Sequence, residues 1–184
     1  NKLTSVDVTD NGLTDVSYLY DADGNRLIEK TQTGATLFLG ETEVSVDVNG
    51  QPVDARRYYS HPGAPTVLRT TGGSGDLDEH TLTVLLSDHH GTATTAVSLD
   101  AAMGVQRRKF GPFGTPRGQE PGQWPGRRSF LGTGIDDPIT GLTHIGAREY
   151  DPTTGRFLSA DPVIDITDPM QMHGYAYANN NPVT

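Results

Sequence analysis

The chain has 184 residues, a formal net charge of −9, 34% hydrophobic residues and no cysteine. Its 22 glycines and 12 prolines point to many turns and short strands rather than long buried helices, and the regular Val, Thr, Tyr and Leu alternation speaks against disorder. This composition excludes a disulfide framework, a thiolate zinc site, an apolar membrane span and a basic stripe that would wrap nucleic acid.

Period-2 alternation predicts strands over Thr14–Tyr20, Leu27–Thr33, Thr36–Leu39, Glu43–Val48, Asp54–Ser60, Thr66–Thr70, His80–Ser87, Ala93–Leu99, Val105–Phe110, Leu142–Tyr150 and Arg156–Leu158. Ala22-Asp23-Gly24, Gly34 and Asn49-Gly50 mark hairpin turns between them. The polar, Gly-rich stretch Thr70–Asp78 reads as a long exposed loop, and Gly114–Gly132 as a link between two parts of the chain. One short helical turn is expected around Met170–Tyr177. The fold class is therefore all-β, with that single short helix near the C-terminus.

A local unit recurs. Tyr20-Asp21-Ala22-Asp23-Gly24 is an aromatic strand end followed by D-x-x-G, and Asp88-His89-His90-Gly91 repeats the turn. Phe110-Gly111-Pro112-Phe113-Gly114 has the aromatic and the Gly without the Asp. Tyr150-Asp151-Pro152-Thr153-Thr154-Gly155 is one residue longer. An Asp carboxylate caps turn amides, and Gly supplies the positive φ of a tight hairpin. A lone hairpin cannot bury its own aromatic, so such units must stack sideways.

These turns and the dense aromatic, Gly and Asp-Pro run from Arg128 to Thr184 resemble the Rhs/YD-repeat family. The resemblance covers residues 17–27 and 84–184 well. It implies a spiral of stacked β-hairpins, with residues 1–117 as the terminal repeats. Residues 118–184 would be a linker and a repeat-associated core that turns inward and closes the shell. It further implies a protein, secreted or delivered at the bacterial cell surface, that encloses a C-terminal toxin and frees it covalently by aspartic self-cleavage. The implied partners are that toxin domain, the upstream YD repeats and a delivery-machinery protein. No cofactor, metal or nucleic acid is implied. The rival class is a non-catalytic structural or adhesive YD-repeat module. The chain begins inside a repeat. In the family a D-P-x-G-L segment precedes the cut, so the scissile bond is expected beyond Thr184 and residues 1–184 are not expected to cleave alone.

Self-cleaving relatives place an Arg-Asp pair where Arg148-Glu149 stand, and a second Asp at Asp161. The resemblance thus implies Asp161, Arg148 and Glu149 as the catalytic set. Glu149 departs from the pattern by one methylene, which leaves Asp151 as an alternative carboxylate. Two carboxyls sharing a proton on adjacent strands are what such chemistry requires. The other motifs read as structure. Asp21–Asn25 lacks the sixth-position Gly and twelfth-position carboxylate of a calcium loop. His144 reads as a packed strand residue, and His89-His90, adjoining a turn, as no metal pair. Arg107-Arg108-Lys109 reads as a solvated strand end.

Overall fold

The computed structural model describes residues 2–9, 12, 14–72, 75–128, 130–161 and 173–182. Ten strands form one antiparallel meander: β1 Ser5–Val6, β2 Val16–Tyr20, β3 Arg26–Thr31, β4 Gly34–Leu39, β5 Thr42–Asp47, β6 Pro52–Tyr59, β7 Thr66–Thr71, β8 His80–Ser87, β9 Ala93–Ser98 and β10 Val105–Arg107. Each strand pairs with its sequence neighbour, so every connection is a hairpin. A second, four-stranded meander follows: β11 Ile135–Asp136, β12 Thr143–Ile145, β13 Arg148–Asp151 and β14 Arg156–Phe157. The all-β expectation holds.

Register places one continuous row of side chains on a single face of the large sheet. Tyr18 stands opposite Glu29, Phe38 opposite Glu43, Glu43 opposite Arg56, Tyr58 opposite Leu68 and Leu85 opposite Ala96. The period of two makes this the covered face, while Leu19, Leu39, Leu86 and Leu99 point away and stay exposed. The covered face has two halves of different chemistry. Over β6–β9 it is apolar, with Tyr58, Leu68, Leu85, Ala93 and Ala96 buried and Trp124 packed on them. Over β2–β5 it carries the buried charges Arg26, Glu29 and Glu43.

The small sheet keeps its own aromatic cluster. Tyr150 is fully buried, its ring 5.9 Å from that of Phe130, 5.4 Å from Phe157 and 5.3 Å from Tyr177, and its hydroxyl donates to the Phe113 carbonyl at 2.7 Å. Gly155 closes the β13–β14 turn at φ 67°, and a Cβ there would come within 3.1 Å of the Phe113 ring.

Two sequence expectations need correction. Leu142–Tyr150 is two strands, because Gly146 at φ 60° turns the chain so that Ile145 pairs Arg148. Alternating residues run through Gly146 without revealing the turn. Of the helix expected at Met170–Tyr177, residues 170–172 lie outside the described residues, and 173–177 form turns and a bridge to Arg156. A single 3-10 turn comes later, at Ala178–Asn180. His89 and His90 sit in the β8–β9 turn that the D-x-x-G pattern implies, with rings 3.9 Å apart.

Candidate functional site

The second half of the chain is seated on the polar half of the large sheet through one buried cluster of charges. Arg26 is its centre, with a side chain that is 0% exposed. Its Nη1 donates to Glu29 Oε2 at 2.9 Å and its Nη2 to Glu149 Oε2 at 2.8 Å, and Asp137 Oδ2 lies 4.0 Å from Nη1. The guanidinium lies over the Tyr18 ring, 4.3 Å from its centroid. Tyr18 in turn donates its hydroxyl to Asp137, which is 1% exposed. Burial, reinforced by that carboxylate, raises the Tyr18 pKa well above the ordinary phenol value.

Glu149 accepts three hydrogen bonds. Its Oε1 accepts from Tyr20 Oη at 3.0 Å and from His144 Nδ1 at 2.7 Å, while Oε2 takes the Arg26 bond. The Arg26 backbone N–H donates to His144 Nε2 at 3.2 Å. That nitrogen must then be an acceptor, which fixes the ring as the Nδ1–H tautomer donating to Glu149. Burial by itself would raise the Glu149 carboxyl, but the His144 and Arg26 bonds outweigh it and hold the pKa below the usual carboxylate range.

A second cation ties the linker down. Arg127 Nη2 donates to Glu29 Oε2 at 2.7 Å, and its Nε to the Asp136 carbonyl at 3.0 Å. Its backbone N–H donates to the Tyr58 hydroxyl at 3.0 Å. Arg128, beside it, reaches Glu41 at 2.9 Å and lies 4.6 Å over the Tyr58 ring. Residues 124–128 and 130–137 therefore run as a strap over the covered face, from Trp124 on the apolar half to Asp137 on the charged half.

The four residues named from the sequence separate into three places. Arg148 and Asp161 are brought together, with Nη2 2.8 Å from Oδ2 and the guanidinium 3.7 Å over the Phe157 ring. The Asp161 side chain keeps 36% exposure. Glu149, one residue along β13, points to the opposite face of that strand and into the Arg26 cluster. Asp151 caps its own turn: its Oδ1 accepts the Thr153 backbone N–H at 2.8 Å and its Oδ2 the Thr154 hydroxyl at 2.9 Å. Those bonds from Thr153 and Thr154 lower its pKa against the raising effect of partial burial. A shallow cavity of about 180 Å³ beside the pair is lined by Arg148, Glu149, Tyr20 and Ser159. Among the described residues no cluster of His, Asp and Glu has the geometry of a metal site.

Sequence reasoning passed over Arg26, Glu29, Arg127 and Asp137. For Asp137 a signal existed. Asp137-Pro138-Ile139-Thr140-Gly141 repeats the D-P-x-T-G of Asp151–Gly155, and both form the same turn, with the Gly N–H donating to the Asp carbonyl at 2.9 Å. Arg26 looked like an ordinary residue opening a strand.

A family model described as the teneurin YD-shell matches residues 83–183, more than half of the chain. The chain belongs to the teneurin YD-shell family. The match takes in the strap, the small sheet and Asp137, His144, Arg148, Glu149 and Asp161, whereas Arg26 and Glu29 lie before it. Among curated proteins, the tRNA3(Ser)-specific nuclease WapA of Bacillus spizizenii is 29% identical over 172 residues, covering 91% of this chain. Teneurin-3 of Mus musculus is 27% identical over 183 residues, covering 92%. The chain spans 7% and 6% of the lengths of those relatives. Among solved structures, TcdB2-TccC3 superposes on the whole chain with a TM-score of 0.77 at 22% identity, over 10% of its own length. The YD-shell fold is therefore shared across relatives with different names.

Proposed function

We propose that this chain is the closing end of a β-shell that encloses a cargo polypeptide. Residues 1–117 form wall, and residues 118–184 are the strap and core that turn onto the wall and shut it. The observation that carries this reading is the buried Arg26 cluster. It spends three carboxylates and a guanidinium on fixing the core to the wall, in a position where an apolar contact would serve stability as well. Fixed geometry is what a closure needs. The WapA relatives, named as tRNA nucleases, support a toxin as the cargo of the whole protein. Secretion or surface delivery, further wall repeats and a delivery-machinery partner belong to the same reading.

In the whole protein, the Arg148–Asp161 pair acts in self-cleavage beyond Thr184. Asp161 is a carboxyl paired with a guanidinium and with 36% of its side chain exposed, an arrangement suited to a group that handles a proton at a peptide carbonyl. Glu149 is a positioning residue here: it anchors the strand that carries Arg148 and, bonded to Arg26, His144 and Tyr20 on the opposite face of β13, is not placed to share a proton with Asp161. The test is the intact mass of a longer form of the protein carrying its native sequence after Thr184, beside Asp161→Asn and Glu149→Gln. Two fragments from the parent and one uncut chain from Asp161→Asn are expected. Equal cutting by parent and Asp161→Asn assigns the chemistry elsewhere. The match to the teneurin YD-shell favours a second reading, a shell that binds partners and cuts nothing. Folded, uncut parent is its signature.

A further inference from the structure

We infer that a cavity at the seam between the wall and the core binds an acidic peptide segment bearing an aromatic or large aliphatic side chain. The cavity holds about 670 Å³, within the range of built ligand sites. It lies between the β8–β9 turn, the end of β10 and the turn at Phe130. Four cations line it: Arg107, Arg108, Lys109 and Arg117. The one carboxylate among its described lining residues, Asp88, already accepts the His90 and Thr92 backbone N–H groups through Oδ1. In a chain of net charge −9, four lining cations against one engaged carboxylate attract a counter-anion.

Arg108 is the second observation. The expectation of a solvated strand end fails for it, since it is 7% exposed. Its guanidinium is stacked 3.7 Å over Trp124 and 4.9 Å over Phe110, and its Nε donates to the Ala93 carbonyl at 2.9 Å. Its Nη2 has no hydrogen-bond partner. Burial draws its pKa down to about 10, against the opposing pull of Asp136 and Glu120, so the group is a charged donor at neutral pH with bonding capacity left over. Removing Arg107 and Lys109 leaves this buried anchor intact.

The rest of the lining selects a peptide. Phe130 and Tyr177 give the cavity an aromatic surface for an apolar side chain. β10 ends the ten-stranded sheet, so an extended segment can pair with its outer edge while its side chains enter the cavity. A nucleic acid would need cations continued along a groove to track successive phosphates, and here they converge on one spot.

The test is an amide chemical-shift titration of the protein with acetyl-Glu-Phe-Glu-amide, with acetyl-Gln-Phe-Gln-amide and the oligonucleotide dT4 as comparators. Shifts are expected at Asp88–Thr92 and Arg107–Lys109. The Gln peptide and the double variant R107A/K109A should each weaken binding about tenfold, as loss of charge complementarity does. R57A, which removes an exposed cation elsewhere on the wall, should leave it unchanged. Equal binding of the two peptides, shifts mapping elsewhere, no binding at millimolar peptide, or tighter binding of dT4 at the same residues would each overturn the inference.

Discussion

Glu149 and Glu43 lie in the same chain, both buried, and their carboxyls titrate in opposite senses. Glu149 has three donors, and its pKa is lowered. Its contribution to stability is present above the ordinary carboxylate pKa and is lost as the pH falls through the lowered folded value. Glu43 is 1% exposed with neither oxygen hydrogen-bonded, and Arg128 Nε lies 3.8 Å from its Oε1. Burial raises its pKa, against the attraction of Arg127, Arg56 and Arg128. Its contribution is therefore full below the unfolded pKa and is lost as the pH rises through the folded one. Glu43→Gln should stabilise the protein at neutral pH relative to the parent, with the gap closing toward pH 4. Urea melts at a series of pH values check both sign and trend. Arg26 is the more sensitive position. Arg26→Met leaves Glu29 and Glu149 buried with a partner missing, and should cost about 3–5 kcal/mol, read from the urea midpoint. Neither residue stands out in the sequence, because a charge at a strand start looks the same whether it meets water or another buried charge.

The D-x-x-G turn is the element that repeats most faithfully. At Asp21, Asp47 and Asp88 the Asp N–H donates to the carbonyl four residues on at 2.9–3.0 Å, and the Gly N–H returns to the Asp carbonyl at 3.0–3.1 Å. The Asp Oδ1 then accepts the backbone N–H four residues on, from Asn25, Gln51 and Thr92. Gly111–Thr115 has the same backbone bonds with no carboxylate to cap them. The carboxylate thus supports the turn without being required for it. Asp88→Ala should cost about 1 kcal/mol and leave the fold unchanged, as thermal melts and amide spectra would register. A larger loss, with β8 and β9 unpaired, would show that the turn depends on its cap. Turns of this kind are readable because their bonds are local: Asp and Gly act within five residues. The Asp47 copy was visible only as Asn49-Gly50, and the break at Gly146 was hidden inside an alternating run.

At the scale of the molecule, the meander leaves β1 and β10 as the ends of a ten-stranded sheet. β10 is exposed at all three residues, with Val105 at 49%. An open edge strand with an exposed Val invites pairing with another copy. Sedimentation should show concentration-dependent association, and Val105→Lys should reduce it. Unchanged association in that variant would move the contact to another surface. The strap then decides the layers. Trp124 covers the apolar half, Arg127 and Arg128 bind the middle, and Asp137 meets Arg26 and Tyr18 on the charged half.

Strand order, hairpin turns and the all-β class were legible in the amino-acid pattern, since alternation and turn chemistry are settled between residues close in the chain. The pairing of Arg148 with Asp161 was anticipated only through family resemblance. The division of labour on β13, with Arg148 facing Asp161 and Glu149 facing Arg26, came from the folded molecule alone. Residue 26 meets residue 149 only because a strap from one sheet crosses another, and the cost of burying charge is set by whichever distant group arrives to meet it.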